Sequence, residues 1–382
     1  MLLPAVAVTA GLCLYTYLGY PAILTLVRRR GRARRSRPLR STVPRISIVL
    51  PVYNEAAVIA GTLDQILAID YPADRRQILV VSDASTDGTD EIVARFADRG
   101  VELLRMPRRQ GKTAAENAAR RHLSGDIIVN TDASVRIEAG AIRRLVAAFG
   151  DDSVGVASSC DVGVASLAQQ ANSGEGAYIG YEMWLRDLET AVGGIVGASG
   201  SLYAIRAELH MGLVPDGLSR DFAAALTARQ HGLRAVSVAE AKCFVPRSTS
   251  LRQEYRRKVR TITRGIATLG HKRALLNPLR YGVFAWMLFS HKVCRWLVPW
   301  ALLALLAALG ASLALLSLIA AVGVLTGVAW VWPDGKPMPR LLALPGYVVV
   351  GNVAVLHAWL RVVAGRPAPV WEPTRRASVP SS

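Results

Sequence analysis

Two apolar runs in this chain end in loops made of small and acidic residues, and those loops hold the side chains best suited to chemistry. Ile46 to Leu50 leads into Pro51-Val-Tyr-Asn-Glu55, and Ile78 to Ser82 leads into Asp83-Ala-Ser-Thr-Asp-Gly-Thr89. Tyr53 can stack on a nucleobase, and Asp83 can accept a hydrogen bond from a ring NH. The plain alternatives are a half-buried aromatic at a strand end and a carboxylate capping its own turn. Ligands of parallel α/β sheets sit outside the carboxyl ends of the strands, so a nucleotide is expected at these two loops.

Positioning such loops needs alternating strands and helices. Ala57 to Ile69 has helical spacing, and a second helix is predicted from about Thr89 to Arg99, with Asp87 or Thr89 as its cap. Val101 to Leu104 reads as a strand, Thr113 to Leu123 as a helix and Asp126 to Asn130 as a strand. Further strands are predicted at Val154 to Cys160 and Ser201 to Ile205, flanking a helix around Gly176 to Thr190. The alternation argues a doubly wound α/β sheet. Gly193, Gly194, Gly197 and Gly200 make a loop free of bulky side chains, as close approach of backbone to a ligand requires.

The order of motifs resembles family 2 glycosyltransferases of the GT-A type. The strings are PVYNE at Pro51 to Glu55, SDASTDGT at Ser82 to Thr89, GKTAAENAA at Gly111 to Ala119, TDAS at Thr131 to Ser134, GASGSLYAIR at Gly197 to Arg206 and RDF at Arg220 to Phe222. The resemblance implies a GT-A doubly wound mixed sheet that binds a nucleotide-diphosphate sugar donor. Pro51, Tyr53, Glu55, Asp83, Lys112, Ser199 and Gly200 then fall at substrate-binding positions, with Lys112 facing phosphate. Asp132 matches the first Asp of the family's Asp-x-Asp metal motif, and Ser134 stands in place of the second. A hard divalent cation, Mg²⁺ or Mn²⁺, accepts one carboxylate together with phosphate oxygens and waters. Asp221 matches the general base, while Arg220 replaces the acidic residue that often precedes it. As a bare sequence feature, Asp221 also suits the first turn of a helix.

Downstream, Tyr255 to Gly265 occupies the place where processive members carry Gln-x-x-Arg-Trp, but no Trp is present. Addition of one or a few sugars is expected there, with Arg257 and Arg260 facing either diphosphate or lipid head groups. Tyr178, Tyr181 and Trp184 share a helix face, which reads as core before it reads as a sugar platform.

The 382 residues are 52% hydrophobic, enough for one α/β domain plus membrane segments. Residues 2 to 27 carry no charge, Leu297 to Trp332 is likewise uncharged, and Leu341 to Leu360 is a third apolar stretch. Nine Arg lie between Arg28 and Arg45, after the first apolar segment, where a cleaved signal would have its basic residues before it. Under the positive-inside rule this run stays in the cytoplasm, and Arg361, Arg366, Arg375 and Arg376 favour a cytoplasmic C-terminus. The expected organisation is a membrane helix at 1–27, a basic linker at 28–45, the GT-A domain at 46–280, interfacial and membrane helices at 281–362 and a tail at 363–382. A net charge of +18 concentrated beside apolar spans points to anionic membrane lipids, with no nucleic-acid module recognisable. Cys13, Cys160, Cys243 and Cys294 are widely separated and include no CxxC pair, which indicates neither a disulfide framework nor a zinc site and predicts buried reduced thiols.

The expectation is an inverting transferase at the cytoplasmic face of the plasma membrane, acting on a lipid-linked or growing polysaccharide acceptor. A sugar nucleotidyltransferase would need a Gly-rich signature with Arg and Lys near the first strand, which PVYNE is not. The second class is a catalytically inactive nucleotide-binding scaffold of a polysaccharide synthase complex, suggested by Ser134 and Arg220 and opposed by the retained Asp132 and Asp221.

Overall fold

The computed structural model describes residues 2–30, 43–164, 173–246, 250–310, 313–333, 336 and 338–366. Most of the basic linker (31–42), and the tail with Arg375 and Arg376, lie outside the described residues. The chain divides into two compact units, one comprising Ala33–Val164 and Glu182–Pro246, the other Met1–Arg32, Ala165–Tyr181 and Arg247–Ala368. Residues 247–280, assigned on sequence to the α/β domain, therefore cluster with the apolar helices instead.

The first unit is built on one sheet of eight strands: β1 (Ile46–Val52), β2 (Arg76–Ser82), β3 (Val101–Arg105), β4 (Ile127–Thr131), β5 (Arg136–Ile137), β6 (Val154–Val164), β7 (Leu202–Arg206) and β8 (Arg234–Pro246). Their order is β3-β2-β1-β4-β7-β6-β8-β5. Strands β3, β2, β1 and β4 run parallel, and β7 is antiparallel to both β4 and β6. This is the mixed doubly wound sheet expected from the sequence, with β5, β8 and the Ala141–Ala147 helix added.

Helices on both faces explain why β1 is apolar without alternation. Ile46, Ile48, Leu50 and Val52 turn to one side, where they pack with Ile59, Leu63 and Ile66 of the Ile59–Leu67 helix. Val49 turns to the other, with Ala114, Ala115 and Ala119 of the Lys112–Ala119 helix and Tyr203 of β7. Gly125 lets the turn into β4 lie directly on the start of β1: a Cβ there would come within 2.5 Å of the Ile46 carbonyl carbon. No side chain fits against backbone at that distance.

In the second unit, three helices among the described residues are long and apolar enough to cross a membrane: Leu2–Arg29, Val283–Leu309 and Leu341–Val363. Leu315–Val331 is a shorter apolar helix. The uncharged run from Leu297 is thus two helices, separated at Gly310, whose φ of 67° ends the first. The N-terminal helix is tied to the later ones by Thr9 Oγ1 donating to the Ala301 carbonyl at 3.0 Å, a Tyr15 Oη to Ser290 Oγ bond of 2.6 Å, and Trp286 Nε1 donating to Tyr15 Oη at 2.9 Å. The basic Leu251–His271 helix is capped by Ser250 and buries Glu254 completely. Cys243 and Cys294 are buried, but Cys13 and Cys160 are only half-buried; all four are free thiols.

Candidate active site

The tips of β1, β2 and β4 converge with the start of the Lys112–Ala119 helix, the glycine loop before β7 and the first turn of the Arg220–Gln230 helix. Backbone strain marks the place: Asn54 and Ala84, the residues that turn out of β1 and β2, have φ of 52° and 59°. Reciprocal bonds hold them there. Asn54 N–H donates to Ser85 Oγ at 3.1 Å, Thr86 N–H to Asn54 Oδ1 at 2.8 Å, Glu55 N–H to Thr89 Oγ1 at 2.9 Å, and Ala56 N–H to Asp87 Oδ2 at 3.0 Å. Pro51 lies opposite Val81 in the β1–β2 pairing. Gly88 is the N-cap of the Thr89–Ala94 helix, while the predicted cap Asp87 accepts from the Thr89 N–H at 3.1 Å and from its hydroxyl. Burial alone would raise the Asp87 pKa, but these donors outweigh it and hold the carboxyl below its ordinary value.

Asp83 is 1% exposed, and its two oxygens accept the backbone N–H groups of Gln110 and Gly111, each at 2.7 Å. It therefore anchors the start of the Lys112–Ala119 helix; further lone pairs remain for a ligand NH. The Arg109 guanidinium lies 3.9 Å from the centre of the Tyr53 ring, so one face of that aromatic already carries a cation. Sequence reasoning missed Arg109.

Lys112 occupies the centre. Its Nζ is 2.5 Å from Asp132 Oδ1, 3.0 Å from the Gly200 carbonyl oxygen and 4.0 Å from Glu116 Oε1. Burial would lower the Lys112 pKa, yet the surrounding carboxylates of Asp132, Glu116 and Asp221 drive it above the ordinary lysine value. Glu116 is 1% exposed, neither of its oxygens has a hydrogen-bond partner among the described residues, and burial raises its pKa. Ser134 follows Asp132 in the turn after β4.

Asp221 also meets Gly200. Both of its hydrogen bonds fall on Oδ1, from the Ser219 hydroxyl and from the Phe222 N–H at 2.9 Å. Its Oδ2 lies 2.7 Å from the position a Cβ on Gly200 would take. Asp221 is thus both a first-turn acid and a carboxylate with one oxygen directed at the glycine loop. Ser199 braces that loop, donating its hydroxyl to Asp161 Oδ2 at 2.5 Å and its N–H to Ser158 Oγ at 2.8 Å. Asp161, also missed on sequence, has its pKa raised by burial.

Arg220, 5% exposed, bonds Asn117 Oδ1 and the His210 carbonyl oxygen, both at 2.6 Å. It fastens the helix that carries Asp221 to the helix that carries Lys112. His210 is 1% exposed, and burial, reinforced by Arg220 and Arg120, puts its pKa well below 6.5. The folded state leaves His210 neutral where the unfolded chain takes up a proton. Stability should therefore fall as pH drops below about 6.5, by up to ~1.4 kcal/mol per pH unit. Thermal unfolding of the His210→Asn protein against pH is expected to show a shallower acid limb than wild type; identical limbs would exclude the assignment.

Arg257 and Arg260 belong to the other unit. Arg257 there donates to Glu254 through Nε at 2.8 Å and Nη2 at 2.7 Å. Tyr178 is 41% and Trp184 47% exposed, so the aromatic stripe is not core. Tyr181 donates its hydroxyl to the Tyr17 carbonyl at 3.1 Å.

Among the described residues no three His, Cys, Asp or Glu side chains group closely enough to form a protein cage for a metal. The residues nevertheless fit a cation that borrows ligands from a phosphate and from water: the Asp132 carboxylate already draws a positive charge to within 2.5 Å.

The sequence model of the family described as Glycosyl transferase family 2 matches residues 47–188. The glycosyltransferase AglE of Haloferax volcanii is 37% identical over 94 residues, 24% of this chain and 31% of its own length. The beta-monoglucosyldiacylglycerol synthase of a Synechocystis species is 29% identical over 164 residues, 41% of this chain and 34% of its own. This chain therefore spans about a third of the length of those relatives. A mannosyltransferase from Pyrobaculum calidifontis, solved in complex with GDP-Man and Mn²⁺, has the same fold, with a TM-score of 0.72 over 94% of this chain and 99% of that one at 23% identity.

Proposed function

We propose that this chain, whose residues 47–188 belong to glycosyl transferase family 2, transfers a sugar from a nucleotide-diphosphate donor, with inversion, to a lipid-linked or growing saccharide acceptor at the cytoplasmic membrane face. The observation that carries the reading is the convergence on Gly200. Its carbonyl accepts from Lys112, which is paired with Asp132, and its Cα side faces Asp221 Oδ2. A group that neutralises a leaving diphosphate and a group that can take a proton thus both meet one small residue.

In the proposed reaction the acceptor hydroxyl gives its proton to Asp221 Oδ2 as its oxygen bonds the anomeric carbon. The bond from that carbon to the diphosphate oxygen breaks, and its electron pair leaves with the nucleoside diphosphate. Ser219 and the Phe222 N–H, by occupying Oδ1, leave Oδ2 for this step. Lys112 supplies positive charge to the departing phosphates. Asp132, with Ser134 beside it, would hold Mg²⁺ or Mn²⁺, which as a Lewis acid stabilises the same charge. Tyr53 with Arg109, Asp83 and Glu55 line the tips of β1 and β2 where the nucleoside is assigned. A single displacement turns an α-linked donor into a β-linked product.

A membrane-associated acceptor is supported by the three apolar helices and by the lipid named in the Synechocystis relative. The Arg-rich run after the first helix supports the cytoplasmic side. The test is release of nucleoside diphosphate by the detergent-purified chain from a panel of UDP and GDP sugars, with Mg²⁺ or Mn²⁺ and a membrane lipid extract. Turnover of one donor into a β-linked product is expected. Nucleotide binding with no release in the presence of acceptor would instead support the scaffold.

A further inference from the structure

Glu116 is a buried carboxylate for which the reaction above has no use. It sits one helical turn after Lys112, and both its oxygens lack hydrogen-bond partners among the described residues. Leaving a buried acceptor unsatisfied is costly, more so for a group that can carry charge. Its two cationic neighbours are otherwise committed: Arg220 bonds Asn117 and the His210 carbonyl, and Lys112 bonds Asp132 and the Gly200 carbonyl.

Lys112 has a difficulty of its own. Its ammonium stands 2.5 Å from Asp132 Oδ1, where a divalent cation bound to Asp132 would have to approach. Such a cation takes a carboxylate oxygen at about 2.0–2.2 Å and would repel an ammonium sharing that oxygen. The lysine side chain is only 16% exposed, so it cannot release its charge to solvent without a larger rearrangement. Glu116 Oε1 is 4.0 Å away on the same helix. A shift of Nζ by little more than about 1 Å would bring it to the ~2.8 Å of a charge-assisted hydrogen bond.

We propose that Glu116 is a positioning residue: it receives the Lys112 ammonium when a divalent cation takes Asp132, and keeps that ammonium beside Gly200 to face the diphosphate. The inference rests on the proposed cation site at Asp132. It gives the buried carboxylate a partner in the loaded state and makes Lys112 a tethered counter-ion in the unloaded one.

The test is Mn²⁺ binding to the full chain in detergent, with UDP or GDP present, read by electron paramagnetic resonance of free Mn²⁺. Wild type, Glu116→Gln, Lys112→Met and the double variant form a cycle. Glu116→Gln is expected to weaken Mn²⁺ binding about tenfold, the scale of lost support behind a metal ligand. Lys112→Met removes the competitor together with a charge that faces the diphosphate, and in that background Glu116→Gln should change Mn²⁺ binding less than about twofold. Equal weakening in both backgrounds would overturn the proposal, because a carboxylate that only holds the fold or touches the metal has no need of Lys112. Glu116→Asp, which keeps a carboxylate but draws it back towards the helix, should show the same coupling at smaller size, and an uncoupled loss there would also overturn the proposal. If wild type and Lys112→Met both take up no Mn²⁺, the cation site fails and the inference with it; binding without the coupling refutes the inference alone.

Discussion

Replacing Asp221 with Asn is expected to lower sugar transfer by about 10² to 10⁴, the contribution of a positioned general base, while nucleotide affinity stays within about twofold of wild type. The substitution keeps the side chain's shape. An Asn Oδ1 can still accept from the Ser219 hydroxyl and the Phe222 N–H, the two donors that hold the carboxylate. What it removes is the capacity of Oδ2 to accept a proton. The loss should therefore appear in kcat at saturating donor. A variant that retained more than about a tenth of wild-type turnover would mean that another group deprotonates the acceptor.

Much of this site is legible in the sequence because its residues lie at strand ends, and strand ends are punctuated. Asp83 and Asp132 follow the buried runs of β2 and β4, Lys112 opens a helix after Gly111, and Asp221 opens one after Ser219. Local order alone places all four at the tips of one sheet. What local order does not show is which groups are buried together. Glu116, four residues after Lys112, reads as half of a solvent-facing helix pair. It is buried because its helix packs on the face of β1 and β2 that the Arg220–Gln230 helix also covers, and those contacts are remote in sequence.

The strand β8 was hidden for a related reason. Its centre, Ala239-Glu240-Ala241-Lys242, breaks the apolar run. The register against β6 is correspondingly irregular between Ser159 and Cys160, after which Lys242 pairs with Cys160. Pairing with β6 and β5, not propensity, makes that segment extended. The boundary at Pro246 escaped notice because the basic Leu251–His271 helix is polar enough to pass for part of a soluble domain, although it clusters with the apolar helices.

Gly200→Ala should reduce turnover by about 10², the cost of displacing a reacting group by roughly 1 Å, and leave nucleotide binding nearly unchanged. Gly200 does not have a left-handed backbone, so an alanine is not strained by φ. The added Cβ meets Asp221 Oδ2 at 2.7 Å, and ordinary contact begins at 3.4 Å. Either the carboxylate rotates away, at the expense of the Ser219 and Phe222 bonds, or the glycine loop retreats and takes with it the carbonyl that accepts from Lys112. Each response would spoil the alignment of base, anomeric carbon and leaving group that the proposed reaction requires. The decisive measurement is the double variant with Asp221→Asn. If Gly200 matters because it leaves room for the base, the alanine should cost little once the base is gone, and the two losses should be far from multiplicative. If they multiply, the methyl group is obstructing the donor itself, and the glycine is there for the sugar.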